Sequence, residues 1–196
     1  MRKVSFQQIR ASNPPAEVWR RLIGLGKSEA DDFEVTIHDI LRIEGLDDAL
    51  WCLRVWPEYA NKWRILAVRF ARQVEYLMTD KRSVEALDVA ERYANGNATD
   101  SELWAARAAA EDAVGDAEGI TEWDAARAAR AAVGGDGGAT VWDAGEAAMD
   151  AEGDAVGSDG DAAWGAARAA WKRQRELLTE MIKEIETEAC TAGDIK

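Results

Sequence analysis

Histidine, cysteine and proline are nearly missing from this 196-residue chain, which holds one, two and three of them. Each shortage removes a class of chemistry. The single histidine, His38, has no cysteine or acidic partners at ligand spacing, so no zinc site can be assembled around it. There is no Ser-His-Asp order either. Standing beside Asp39 at the start of a helical pattern, His38 reads as a capping or surface residue. Cys52 and Cys190 lie far apart, each in a helical pattern, and form no CxxC. They read as buried or idle thiols of a cytosolic protein rather than a disulfide. No apolar run approaches the roughly 20 residues that a bilayer span needs. The basic N-terminus MRKVSFQQIR has no apolar core behind it, so it does not read as a secretory leader. The expectation is a cytoplasmic protein without membrane contact. The glycines of GGDGG (134–138) lack a following Lys-Ser/Thr and read as a turn, not a phosphate cradle. Strand patterning is also scarce: VTIHDI (35–40) is the one short candidate, and it suits a helix better.

Basic residues are missing from one segment in particular. Residues 1–99 hold 15 basic and 15 acidic residues, and residues 166–196 hold six of each. Residues 100–165 hold three basic residues (Arg107, Arg127, Arg130) against 16 acidic ones, which is the whole of the net charge of −13. Such a surface repels nucleic acid and attracts basic protein surfaces. The plainer reading is that small alanine-rich helices carry charge for solubility.

What the segment has in abundance is alanine, in a repeat. Trp104 precedes AARAAA, Trp123 DAARAAR, Trp142 DAGEAAM and Trp164 GAARAAW; the alanines of these runs begin at 105, 125, 144 and 166. Thr99/Glu102, Thr121/Asp124, Thr140/Asp143 and Ser158/Asp161 stand at capping-box spacing ahead of the copies. In that arrangement the hydroxyl accepts the third backbone N–H and the acid suits the positive end of the helix dipole. The period predicts four successive helices. Short alanine helices are marginal alone and depend on stacking against neighbours. Their small side chains allow close approach.

The N-terminal half reads as helices too. Residues 1–13 look like an extended lead-in, and Asn13 caps a helix with Pro14 and Pro15 in its first turn. Val18, Trp19, Leu22 and Ile23 give that helix its apolar side. Glu29–Glu34 reads as an acidic loop. Thr36 with Asp39 starts a helix that Gly45 closes, and Leu46, Leu50, Leu53 and Trp56 of LDDALWCLRVW face the core. Pro57 opens the clearest helix, with Tyr59, Trp63, Leu66, Phe70, Val74 and Leu77 at three- and four-residue steps. Arg64, Arg69, Arg72, Lys81 and Arg82 alternate with acids and read as a solvated face. Ser83 starts a further helix that Asn95-Gly96 stops. A last long helix runs over about 162–188. The fold class is therefore all-α: four short Ala/Trp-rich helical repeats packed on an N-terminal helical bundle. One domain spans 1–196, made of N-terminal helices (1–98), acidic repeats (99–171) and the C-terminal helix (162–188).

No residue is singled out as catalytic, as a metal ligand or as a cofactor ligand. Asp150, Glu152 and Asp154 fall at positions 1, 3 and 5 of an EF-hand-like loop, but Ala155 takes its glycine position and Asp161 replaces the terminal glutamate. The stretch reads better as a solvated linker or protein-contact loop. Candidate partner-binding residues are Asp116, Glu118, Asp136, Asp143, Glu146, Asp150, Glu152, Asp154, Asp159 and Asp161. Tryptophans at helical spacing are usually core, and any left exposed on the repeat would be contact anchors. Leu178, Ile182 and Ile185 recur regularly enough to pair the C-terminal helix with a second copy.

The segments IHDILRIEGLDDALWCLRVW, WRILAVRFARQVEYL and SVEALDVAERYANGNATDSELWAARAAAEDA, followed by alanine pairs, resemble an immunity protein family. That family belongs to bacterial polymorphic toxin systems and also occurs in phage and prophage genomes. The resemblance covers about 36–171 and is most specific at GLDDALWCLR and ERYANGNATDSE. It implies an all-α intracellular domain that binds and neutralises a toxin or other effector, with no catalytic motif to carry over. The chain departs from it in its glycine- and aspartate-rich composition after Gly115. Two other readings stay open. One is a phage anti-defence protein, an anti-CRISPR or anti-restriction inhibitor whose acidic face mimics DNA phosphates. The other is a small helical enzyme or metal-binding protein.

Overall fold

The computed structural model describes residues 3–26, 34–43, 45–135, 137–157 and 160–193. It is all-α apart from one two-stranded ribbon. Among the described residues no helix is long and apolar enough to cross a membrane.

The first residues are more ordered than their sequence suggested. Val4–Ser5 (β1) pairs antiparallel with Glu34–Val35 (β2), so Glu34 belongs to a strand rather than to the expected acidic loop. The rest of that loop, 29–33, lies outside the described residues. Phe6–Ala11 (α1) follows β1 directly. Its cause is a capping box in SFQQ: the Gln8 amide donates to Ser5 Oγ at 3.3 Å and the Ser5 amide to Gln8 Oε1 at 2.9 Å. Phe6 and Ile9 are fully buried. Asn13 does not cap the next helix; it sits at φ 54° in the turn between α1 and Ala16–Gly26 (α2), whose first bond runs from the Trp19 amide to Pro15 O.

Thr36 and Asp39 do exchange the expected capping bonds ahead of Ile37–Ile43 (α3). Leu46–Cys52 (α4) follows, with Leu46, Leu50, Leu53 and Trp56 all buried. Pro57 opens a short 3₁₀ turn, and the α-helix proper is Ala60–Ala71 (α5). Lys81–Ala94 (α6) starts earlier than Ser83, because the Asp80 carboxylate accepts from the Arg82 amide at 2.8 Å. Ser83 is instead buried in the first turn.

The four repeat helices are present: Asp100–Asp116 (α7), Ile120–Val133 (α8), Gly138–Ala155 (α9) and Gly160–Gly193 (α10). The first uses its expected cap, Thr99 with Glu102. Thr121 and Thr140 lie inside their helices, whose N-cap residues are Gly119 and Gly137. A glycine two or three residues earlier, at positive φ, outcompetes the threonine for the boundary. Ser158 lies outside the described residues. Asp150, Glu152 and Asp154 belong to α9, not to a loop; on a helix, residues two apart point to opposite sides, so they cannot form an EF-hand loop.

Helices α7 to α10 pack in chain order, each on the next, against a second layer made chiefly of α4, α5 and α6. Alanine makes the seam. Ala125, Ala128, Ala129 and Ala132 of α8 and Ala144, Ala147, Ala148 and Ala151 of α9, which are neighbouring helices, are all buried. On α10 the buried stripe is Ala170, Gln174, Leu178, Met181, Ile182 and Ile185. The apolar face considered for pairing two copies is therefore covered by the chain itself. Lys62, Arg69 and His38 bond to Glu188, Glu184 and Glu186, tying the outer side of α10 to α5 and α3.

The turn after α8 does more than reverse the chain. A side chain at Gly137 would stand 2.3 Å from the Ala60 carbonyl oxygen, and one at Gly138 would stand 2.7 Å from Arg54 Cα. Arg64, expected on a solvated face, is buried beneath this turn. It donates to the carbonyls of Ala132 (3.0 Å), Gly134 (2.9 Å) and Gly135 (2.8 Å), and lies over the Tyr93 ring. Its charge meets the negative end of the α8 dipole.

Candidate partner-binding groove

The alanine seam decides which repeat residues are left outside. With 124, 125, 128, 129 and 132 of α8 turned inward, the 3.6-residue period sends Ile120, Trp123 and Arg127 outward on one stripe. On α10 the same period lines up Gly160, Ala163, Trp164 and Ala167. Between the two stripes, α9 presents Met149, Asp150, Gly153 and Asp154. These residues line a groove of about 560 Å³ between α8 and α10, with α9 beneath it. Gly153 and Gly160 supply no side chains to fill it.

The groove is edged by exposed apolar surface. Trp164 is 72% exposed, Ile120 65% and Trp123 41%. Trp104, on the outer side of α7, is 73% exposed but lies apart from the groove. Trp51, Trp56 and Trp63 are buried in the N-terminal layer, while three of the four at repeat positions face outward.

Its charge is carboxylate, held around one guanidinium. Arg127 donates to Asp124 at 2.7 Å, lies 3.8 Å from Asp150, and stacks over the Trp123 ring at 4.7 Å. Asp124 is almost fully buried. Desolvation pushes its pKa up to about 6; Arg127 opposes the rise, while Asp150 and a hydrogen bond with Asp154 add to it. Asp150 is raised for the same leading reason, as is Glu146, which also feels Asp150. Asp143, Glu146, Asp150 and Asp154 stand at steps of three, four and four residues, a single row along α9 of roughly 16 Å.

The expected contact residues separate accordingly. Asp150 and Asp154 line the groove, Asp143 and Glu146 continue its row, and Asp161 opens α10 beside it. Asp116 and Glu152 are engaged elsewhere, by Arg82 at 2.7 Å and by Arg173. Glu118 lies before α8, its amide donating to Glu122. Asp136 and Asp159 lie outside the described residues. Sequence reading missed Asp124, which it placed as a capping acid, and gave Arg127 no role. The available signal was their spacing: Trp123, Asp124 and Arg127 form a cation–π and ion-pair unit within one turn.

Among the described residues no three His, Cys, Asp or Glu side chains are gathered as a metal-binding group. Compared with known protein families, with curated proteins and with solved structures, the chain finds no match.

Proposed function

We propose that this protein is a non-catalytic inhibitor of the immunity type, acting in the cytoplasm, that occupies a basic surface of a toxin or effector through the α8–α9–α10 groove. One observation carries the reading: two exposed indoles and an isoleucine edge a groove whose walls and floor carry carboxylates. Indoles are the side chains most enriched where binding energy concentrates. Carboxylates add steering and discrimination. Desolvation, with repulsion from neighbouring carboxylates, already holds Asp124 and Asp150 above their ordinary pKa, so a basic partner relieves a cost present in the free protein.

The α9 row favours one particular target as a second reading. Four carboxylates in line suit a basic groove that otherwise holds nucleic acid, as in a nuclease of a defence system. The row is sparser than duplex phosphates, which rise about 3.4 Å per strand.

The test is capture from bacterial lysate by three baits: wild type, Trp123→Ala/Trp164→Ala, and Asp143→Asn/Glu146→Gln/Asp150→Asn/Asp154→Asn. A protein held by wild type alone and released by salt is the expected result. Duplex DNA that competes for it identifies a nucleic-acid groove as the target. Equal retention by all three baits, with unchanged circular dichroism, refutes the groove as the contact surface.

A further inference from the structure

A second cavity lies at the other end of α9. It has a volume of about 630 Å³ and is enclosed by α2, α4, α9 and α10, with Met149 shared between it and the groove. That volume is ordinary for a small-molecule site. Its aromatic walls are Trp51, Trp142 and Trp171. Carboxylates outnumber guanidinium groups on its lining by five to two. Asp48 is buried and takes a two-pronged bond from Arg21. The Arg54 guanidinium stacks on Trp51 at 4.3 Å and donates to the Trp51 carbonyl at 2.8 Å. Glu17, Asp47, Asp143 and Glu146 are the remaining acids of the lining, and Trp171 acts on Asp47 against the rise in its pKa.

Indole faces beside excess carboxylate select one ligand chemistry. An anion would meet net negative charge. A metal ion would need three close donors, which are not gathered here. A cation with apolar faces satisfies both components: its charge meets the acids and its flat or alkylated surface lies on the rings. The cavity already contains this contact, since Arg54 on Trp51 is a guanidinium stacked on indole. We propose that this cleft binds a small organic cation of the guanidinium or alkylammonium class, seated between Trp142 and Trp171 with its charge toward Asp47 and Glu146. The cleft walls partly desolvate the Asp47 carboxylate and raise its pKa, with Asp48 next in effect, so a bound cation favours its ionised form. The inference does not rest on the proposed function: the two linings share only Met149, although Asp143 and Glu146 also belong to the α9 row, and the indoles that read the two sites are different.

The experiment follows the indole N–H resonances of the isotopically labelled full-length protein during titration with butylguanidinium. Butylurea, of the same shape and without charge, is the control. Saturable shifts at Trp142 and Trp171 are expected, with Kd near or below about 1 mM, the range open to a ligand of this size. Butylurea should leave them unmoved. Asp47→Asn/Glu146→Gln, two exposed side chains, should weaken binding by roughly tenfold. Trp164→Ala should change nothing. A peptide arginine in place of the free cation separates the sources: tighter binding points to a partner's side chain, weaker binding to a free metabolite. Equal response to butylurea, no saturation by about 20 mM, or loss of the shift in Trp164→Ala overturns the proposal.

Discussion

Arg64 gives the sharpest quantitative test of how the fold is held. Its guanidinium is buried and makes three hydrogen bonds to carbonyls at and beyond the end of α8. Hydrogen bonds from a charged donor contribute about 1.5–3 kcal/mol each, so their gross loss in Arg64→Met is about 5 kcal/mol or more. Relief from burying a cation returns part of that. The carbonyls of Gly134 and Gly135 can be rehydrated at the partly exposed turn, whereas that of Ala132 is left poorly satisfied. The net expectation is a loss of about 3 kcal/mol, or roughly 6–12 °C in Tm for a chain of this length. Arg64→Lys keeps the charge but not the fork of donors or the stack over Tyr93, and should lose about 2 kcal/mol. Urea unfolding followed by circular dichroism measures both. Amide exchange between 131 and 141 should accelerate in each variant before global unfolding does. An Arg64→Met variant within 1 kcal/mol of wild type would refute the view that this cation fastens the repeat helices to the N-terminal layer.

Other perturbations have definite signs. Gly138→Ala drives a methyl to 2.7 Å from the Arg54 backbone and should cost about 2–3 kcal/mol. Gly165→Ala, where nothing lies within 4 Å inside α10, should add about 0.5–1 kcal/mol of stability; chemical denaturation compares the two. Asp124 has its folded-state pKa raised from 3.8 to about 6, so the native state binds more protons than the unfolded chain between those values. Stability from this group is present at low pH and falls as pH rises through that window, by roughly 1–2 kcal/mol once screening is allowed for. Asp124→Asn should flatten that part of the Tm–pH curve. Neutralising Asp143, Glu146, Asp150 and Asp154 should leave Tm unchanged or raised, since repulsion and desolvation are removed. In a thiol-labelling assay of the native protein, exposed Cys190 should react and Cys52 should not, because burial raises its pKa and blocks access.

The helices were legible because their signals are local and redundant. A tryptophan and an alanine pair every twenty or so residues leave no other period to choose. Boundaries were less legible where two local signals compete. Thr121 and Thr140 offered capping boxes, yet glycines ahead of them turned the chain first. SFQQ offered one too, in a segment whose polar composition concealed it. Arg64 was beyond local reasoning altogether. Nothing in WRILAVRF distinguishes a solvated arginine from one that reaches carbonyls about 70 residues away. The acidic bias of 100–165 was plain in the sequence, but its division into a row on α9 and acids spent on Arg82 and Arg173 depends on which helices become neighbours. The second cavity could not be foreseen for the same reason, since its walls come from four helices spread over most of the chain.

The placement of the tryptophans connects fold to proposed function. Burying a large side chain contributes about 1.5–3 kcal/mol. Helices whose inner faces are alanine gain little from each buried residue, so the repeat segment is where extra burial would help most. Yet its own indoles at 104, 123 and 164 point outward, while the N-terminal layer buries Trp56 and Trp63 completely. The alanine seam explains how this is tolerated: closely apposed helices leave no room for indole between them. It does not explain why tryptophan rather than a polar residue occupies those outer positions. Two of the three meet at one groove with Ile120, beside carboxylates that, among the described residues, Arg127 alone offsets. Apolar anchors and uncompensated acid in the same place are costs to the isolated chain that a basic partner removes together. If so, the affinity lost on removing Trp123 and Trp164 and that lost on neutralising the α9 row will not add independently, as side chains sharing one contact surface are expected to be coupled.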